Sequence, residues 1–222
     1  MRLSKFLHSC VLLEGNGSSI LFDPGKFSFI EGLVLPGSFR NLSAILLTHG
    51  HPDHLDIDAL SAIIAANPAA TIYGNGETLA DLGKSHIKAI LFETGSRQVG
   101  GLNVQAIPAE HAPILGSPAP QNTAFLVDNL LLNPGDSFAP ALDAFRGTPA
   151  LLLPVMAPWE KELEMMAFAE RMKPQIVVPV HDGHAKSFFL HQRYATFKQE
   201  FERRGIRFAE LYEPGAGMDL PA

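Results

Sequence analysis

Ala44-Ile45-Leu46-Leu47-Thr48-His49-Gly50-His51-Pro52-Asp53-His54 is an apolar run that ends in three histidines and an aspartate. Ile45 to Leu47 reads as a short buried strand, and Thr48 to His54 as the turn where that strand runs out. Side chains two apart on extended chain point the same way, so His49 and His51 converge, while Asp53 and His54 come from the turn beyond. One segment thus offers ligands to two ions. Neutral imidazole and carboxylate suit zinc, iron or manganese, and no cysteine lies nearby, which favours a catalytic centre over a closed structural zinc. The competing reading is a solvated loop that happens to be rich in histidine; few folds need four such groups within six residues.

Thr48-His49-Gly50-His51-Pro52-Asp53-His54 resembles, at each fixed position, the Thr-His-x-His-x-Asp-His signature of the metallo-β-lactamase superfamily. The resemblance extends over nearly the whole chain, which looks similar to the compact metal-dependent hydrolases of the bacterial ascorbate-phosphate lactonase type. It implies one α/β domain over residues 1–222, folded as a four-layer αββα sandwich with the site along one edge of the sheets. It also implies the ligand set: His49, His51 and His111 for one ion, Asp53, His54 and His181 for the other, and Asp136 bridging. The cofactors are then two divalent ions, zinc first, with manganese or iron as alternatives. A hydroxide shared by the ions attacks a carbonyl or phosphoryl centre in such sites. Compact members often carry a histidine near the first hairpin, which makes His8 a candidate catalytic residue beside Asp53 and Asp136.

Composition narrows the rest. With 222 residues, 46% of them hydrophobic, the chain is long enough for one well-buried domain. A net charge of −6 gives no general attraction to nucleic acid or anionic membrane, so the expected partner is a small-molecule substrate, with a homo-oligomer left open. Cys10 is the single cysteine, which suits a reducing compartment and a cytoplasmic protein. Residues 1–13 imitate a signal peptide, but His8 interrupts the apolar core and Glu14 closes it, so the segment reads as strands entering a sheet. No run is long enough to span a membrane.

In chain order, strands are expected at 2–8, 10–14 and 19–23, the last two joined by Gly15-Asn16-Gly17-Ser18, a hairpin signal. Asp23-Pro24-Gly25 ends the hairpin, and Asp23 is either a turn former or a carboxylate that orients a metal-bound histidine. Residues 26–41 carry seven large apolar side chains, which fit a lid or rim, an oligomer contact or core packing. Ile57, Leu60, Ile63 and Ile64 mark a helix capped by Asp56. A strand at 71–73, a short helix at 77–84 and strands near 88–93 and 102–107 follow, and His86 reads as a solvated loop residue.

His111 and Asp136 follow strand exits, as the resembling family's ligands do, and the Pro-rich stretch after His111 is expected to be a stiff flap near the metals. Strands are read at 122–128, 130–133 and 151–154, and a helix over 159–172 with Leu163, Met165, Met166, Phe168 and Met172 inward. The apolar run 176–181 ends in His181, with His184 three residues on; Pro-Val-His at the strand end favours His181 as ligand and leaves His184 to the pocket wall. Leu190, Tyr194, Phe197 and Phe201 mark a closing helix, with His191 structural at its flank, 206–212 an edge strand, and 213–222 a loosely held tail. The leading function is hydrolysis of an ester, lactone or phosphoester. An iron-dependent oxygen or redox enzyme on the same ligands is the alternative, with a non-catalytic metal-binding protein as a third reading.

Overall fold

The structure, a computed structural model, describes residues 1–221; Ala222 lies outside the described residues. Its first half opens with an antiparallel trio, β1 (Arg2–Lys5), β2 (Val11–Gly15) and β3 (Ser18–Phe22). The β2–β3 turn has Asn16 and Gly17 at φ 52° and 74°, and Gly15 pairs Ser18, the two-residue geometry that the Asn-Gly pair favours. The chain then crosses to β4 (Ala44–Leu46), α1 (Ile57–Ala66), β5 (Thr71–Gly74), α2 (Gly76–Lys84) and β6 (Ile90–Leu91), with β3, β4, β5 and β6 parallel. Asp56 caps α1 as expected, its carboxylate accepting from the N–H of Asp58 (3.0 Å) and Ala59 (3.1 Å).

The second half repeats this plan. An antiparallel set, β7 (Gly95–Val99), β8 (Leu102–Pro108), β9 (Thr123–Val127) and β10 (Leu131–Asn133), leads into the parallel strands β11 (Ala150–Pro154), β12 (Ile176–Val180) and β13 (Arg207–Phe208). Helices α3 (Glu162–Met172) and α4 (Ser187–Glu202) make the crossovers, and β14 (Ala216–Asp219) closes the chain. The sheet orders are β14-β1-β2-β3-β4-β5-β6 and β13-β12-β11-β10-β9-β8-β7.

Strand alternation builds four layers from these two sheets. Ala44 and Leu46 of β4, with Leu152 of β11 and Val178 of β12, pack in a core between the sheets. Ile45 and Leu47 point the other way, onto Leu60 and Ile63 of α1 and Leu82 of α2. Leu151 and Leu153 turn outward onto Met165 and Phe168 of α3 and Tyr194 and Phe197 of α4. Both faces of each central strand are therefore covered, which is why these strands read as continuous apolar runs.

Five expectations change. The strand expected over 2–8 stops at Lys5, because Leu7 and His8 turn the chain at φ 65° and 49°. The tail is not loose, because β14 pairs with β1 in antiparallel register from Arg2↔Asp219 to Lys5↔Ala216. The strand near 88–93 shrinks to two residues and is followed by β7, whose side chains are mostly exposed and carry no apolar alternation to read. The helix expected from 159 starts at Glu162, since Glu160 N–H bonds Ala157 C=O in a turn, and its Leu163 faces solvent at 85% exposure. The strand expected over 206–212 is β13, two residues long. Residues 26–41 divide between two roles: Val34 and Phe39 are buried, while Ile30, Leu33 and Leu35 are exposed.

Candidate metal centre

Every expected ligand sits just past the end of a strand, on one edge of the sandwich. His49, His51, Asp53 and His54 follow β4, His111 follows β8, Asp136 follows β10 and His181 follows β12. Local backbone is bent to serve this edge. His8, Asp23 and His181 all adopt left-handed φ, at 49°, 43° and 65°. For non-glycine residues this costs roughly 1–3 kcal/mol each and persists only where packing imposes it. The turn after β3 docks directly on the metal loop: Lys26 N–H donates to Pro52 C=O at 2.8 Å. A Cβ on Gly25 would stand 1.8 Å from Asp53 O, so only glycine allows that approach.

The ligand atoms fall into two groups, each within 4.8 Å: His49, His51, His111 and Asp136, and His8, Asp53, His54 and His181. Asp136 joins them. Its Oδ2 lies 3.1 Å from His181 Nε2 and 3.5 Å from His111 Nε2, and its Oδ1 lies 3.2 Å from His54 Nε2. Asp53 Oδ2 is 3.2 Å from His181 Nε2 and 3.2 Å from His8 Nε2.

Second partners fix how each imidazole faces the site. Asp23 accepts from Thr48 N–H (2.8 Å), from Thr48 Oγ1 (2.7 Å) and from His54 Nδ1–H (3.0 Å). Thr48 has given its proton to Asp23, so at 3.0 Å it accepts from His49 Nδ1–H. His111 Nδ1–H donates to Ala112 C=O (2.6 Å) and His181 Nδ1–H to Met156 C=O (2.7 Å). All four therefore turn Nε2 inward, the arrangement by which outer partners orient metal-binding histidines. Asp23 thus fixes the orientation of the His54 ring.

Electrostatics describe the same pocket. Burial alone would lower the pKa of His54, but the carboxylates of Asp136 and Asp23 outweigh it and lift it to about 10. His181 is likewise pushed well above its ordinary value against burial, by Asp136 and Asp53. Burial lowers His49, and it lowers His8 to about 3. Asp136 is held well below the usual carboxylate range, where burial is outweighed by His181 and His54. Asp53 is lowered too, because hydrogen bonds from His181 and His8 overcome burial. Without metal, then, protons on His54 and His181 stand where cations would stand.

The residues fit divalent ions on two further counts. His111 Nε2 is buried with no hydrogen-bond partner, an arrangement costing about 1–3 kcal/mol unless something else satisfies it. The donor set is imidazole and carboxylate throughout, which suits zinc, manganese or iron.

Not every histidine joins. His184 is exposed at the cleft wall, its ring centroid 6.1 Å from that of His181. His191 stacks on Tyr212 at 4.2 Å, away from the ligands, and His86 is an exposed turn residue at φ 57°.

Two supports escaped the sequence reading. Asn122 donates to Ala109 C=O and Pro134 C=O, both at 3.0 Å, and accepts from Asp136 N–H at 3.3 Å, tying the His111 and Asp136 loops together. Lys5 Nζ of β1 pairs with Asp182 Oδ2 at 2.5 Å, and Tyr194 of α4 donates to the same oxygen. All three are buried, and Asp182 directly follows His181. No local pattern marks either group, and Lys5 sits in a strand, Arg2–Lys5, that is itself mostly polar.

Residues 2–181 match the model of the beta-lactamase superfamily domain. Protein Rv0786c of Mycobacterium tuberculosis is 35% identical over 196 residues, covering 82% of this chain and 84% of its own length. A UPF0173 metal-dependent hydrolase of Pyrococcus abyssi is 25% identical over 188 residues, 80% of this chain and 83% of its own. Igni18, a metallo hydrolase from the archaeon Ignicoccus hospitalis, shares the fold with a TM-score of 0.73 at 23% identity, covering 98% of this chain and 97% of that one. The chain belongs to the metallo-β-lactamase superfamily.

Proposed function

We propose that this chain, in class a metal-dependent hydrolase of its superfamily, uses two divalent ions to cleave an ester, lactone or phosphoester bond in a small molecule. The observation that carries the reading is the pair of ligand clusters joined through one buried carboxylate, Asp136. His49, His51 and His111 would hold one ion, Asp53, His54 and His181 the other, and Asp136 both. Zinc is the leading choice. When bound, the ions acidify a water to serve as nucleophile and polarise the substrate oxygen.

The chain's own groups set that chemistry in place. Trp159 Nε1–H donates to Asp136 Oδ2 at 3.2 Å and steadies the shared carboxylate. His8 is neutral and directs a hydrogen bond at Asp53. Beside the ligands lies a cleft of about 530 Å³, a size that suits a small molecule. Asp23 and Met156 keep the Nδ1 protons of His54 and His181 in place, so an ion would displace only their Nε2 protons. The reading includes a cytoplasmic home, with which a single, buried cysteine, Cys10, is consistent.

Elemental analysis of protein purified without added metal, together with a panel of esters, lactones and phosphodiesters, tests this function. Close to two transition-metal ions per chain and hydrolysis of at least one substrate class are expected. Iron alone, with oxygen uptake and no hydrolysis, would replace the reading with a redox enzyme.

A further inference from the structure

The cleft beside the metal ligands is walled by Phe27, Ile114, Leu115, Pro158 and Trp159. Apart from the ligands and His184, no polar or charged side chain lines it among the described residues. Leu115, on the Pro-rich flap, is fully exposed at 103%. An apolar side chain held in water at the mouth of a polar site gains nothing from folding there and is suited to meet a ligand.

Pro158 and His184 are shared with a second trough, of about 600 Å³, which continues to Met156, Phe188 and Phe189. Phe188 and Phe189 are 74% and 45% exposed. Glu160 and Glu162 stand along this trough with Lys186 and Arg193, and burial raises the Glu160 carboxyl to about 7. Arg193 is already paired with Glu162 and lies 4.9 Å over the Phe197 ring.

We infer that the substrate is an uncharged carboxylic ester or lactone with an apolar acyl or aryl arm, which runs from the ligand cluster past Leu115 and Pro158 toward Phe188 and Phe189. A phosphate or carboxylate on that arm would lose water and, beyond the ligands, find only the His184 imidazole along the first cleft to replace it. An alkyl arm gains instead, each buried methylene being worth about fourfold in affinity. The reaction balances without an oxidant or reductant: the acyl carbon–oxygen bond breaks, the oxygen of water bonds to that carbon, and an acid and an alcohol leave. The inference rests on the hydrolase reading and narrows it away from the phosphorylated lactones that the sequence resemblance brings to mind.

The test compares p-nitrophenyl esters on the metal-loaded protein: acetate, octanoate, and the monoester of suberic acid, which matches octanoate in length but ends in a carboxylate. The expected kcat/KM for octanoate exceeds that for acetate by about tenfold or more, a gain that needs only part of the chain to be buried. The suberate monoester should fall back toward acetate, and Leu115→Asp should lower the octanoate-to-acetate ratio. Trp159, the only tryptophan, lines the cleft, so its fluorescence should respond to octanamide more strongly than to acetamide whether or not turnover occurs. Ester hydrolysis with no dependence on chain length, or a preference for suberate, overturns the inference and leaves the hydrolase intact. No hydrolysis of any ester or phosphodiester at full metal occupancy fails the hydrolase reading itself and the inference with it.

Discussion

The backbone N–H of Gly183 donates to His8 Nδ1 at 3.0 Å. A backbone amide only donates, so the proton of neutral His8 sits on Nε2, facing Asp53 Oδ2 at 3.2 Å. This is the reverse of His49, His54, His111 and His181, whose Nδ1 atoms carry the proton. His8 is therefore built to steady Asp53 and not to bind an ion through Nε2, although it lies within the second cluster. His8→Ala is expected to lower kcat/KM by about 10- to 100-fold, the usual cost of losing such a support, while the protein keeps both metal equivalents at saturating metal. Loss of one full equivalent on elemental analysis would make His8 a ligand. Gly183→Ala should behave alike, since its Cβ would stand 2.8 Å from His8 Cβ and push the ring away.

Asp23 touches no ligand Nε2, yet it holds His54 Nδ1–H and both hydrogen-bond donors of Thr48. Asp23→Asn leaves one acceptor oxygen where two are used and points an N–H₂ at existing donors. Metal affinity is expected to fall about 10- to 100-fold, read by metal retention against a graded chelator. Retention equal to wild type would reduce Asp23 to a turn former.

How much of this was readable in advance follows from distance along the chain. His49, His51, Asp53 and His54 are contiguous, and strand geometry alone converges the first two; Asp56 caps its helix by a local rule. His111, Asp136 and His181 stand alone in their loops, and only the resemblance to a known signature raised them above ordinary turn residues. Their meeting depends on two sheets packing face to face. Lys5 and Asp182 are 177 residues apart, and β14 pairs with the first strand of the chain, so no window of sequence holds both partners. Asn122 is hidden for the same reason: its three bonds go to loops on either side of it in space.

The Lys5–Asp182–Tyr194 group connects β1, the end of β12 and α4 at the position where His181 takes its left-handed φ. Lys5→Met leaves the Asp182 carboxylate buried with its cation gone, and breaking such a pair costs about 3–5 kcal/mol. A large fall in Tm is expected. The double variant Lys5→Met/Asp182→Leu removes both charges and should recover most of that loss, yet it should still bind metal less tightly than wild type, because the turn carrying His181 is no longer tethered. If the double variant matched wild type in both stability and metal affinity, the group would have no part in placing His181.

The protons that stand in the metal-free site give the last test. His54 lies between Asp23 and Asp136, and its pKa is raised to about 10 from an ordinary 6.5. The folded, metal-free protein thus keeps a proton that the unfolded chain releases between those values. Since the folded pKa is the higher one, the stability this provides is fully present below pH 6.5 and is lost as pH rises through about 10. Metal affinity runs the opposite way. An ion needs the Nε2 lone pair, so below pH 10 it must displace the proton of His54, and that of His181, which the same carboxylate raises. Metal binding should therefore tighten with pH over this window, and titration of zinc into weakly buffered, metal-free protein near neutral pH should release protons from both residues. Imidazole ¹⁵N resonances would identify them, with His54 charged at neutral pH without metal and neutral once metal is bound. His54 neutral at pH 7 in the metal-free protein, or metal uptake with no proton release, would show that Asp136 does not hold the two clusters together in the way the geometry requires.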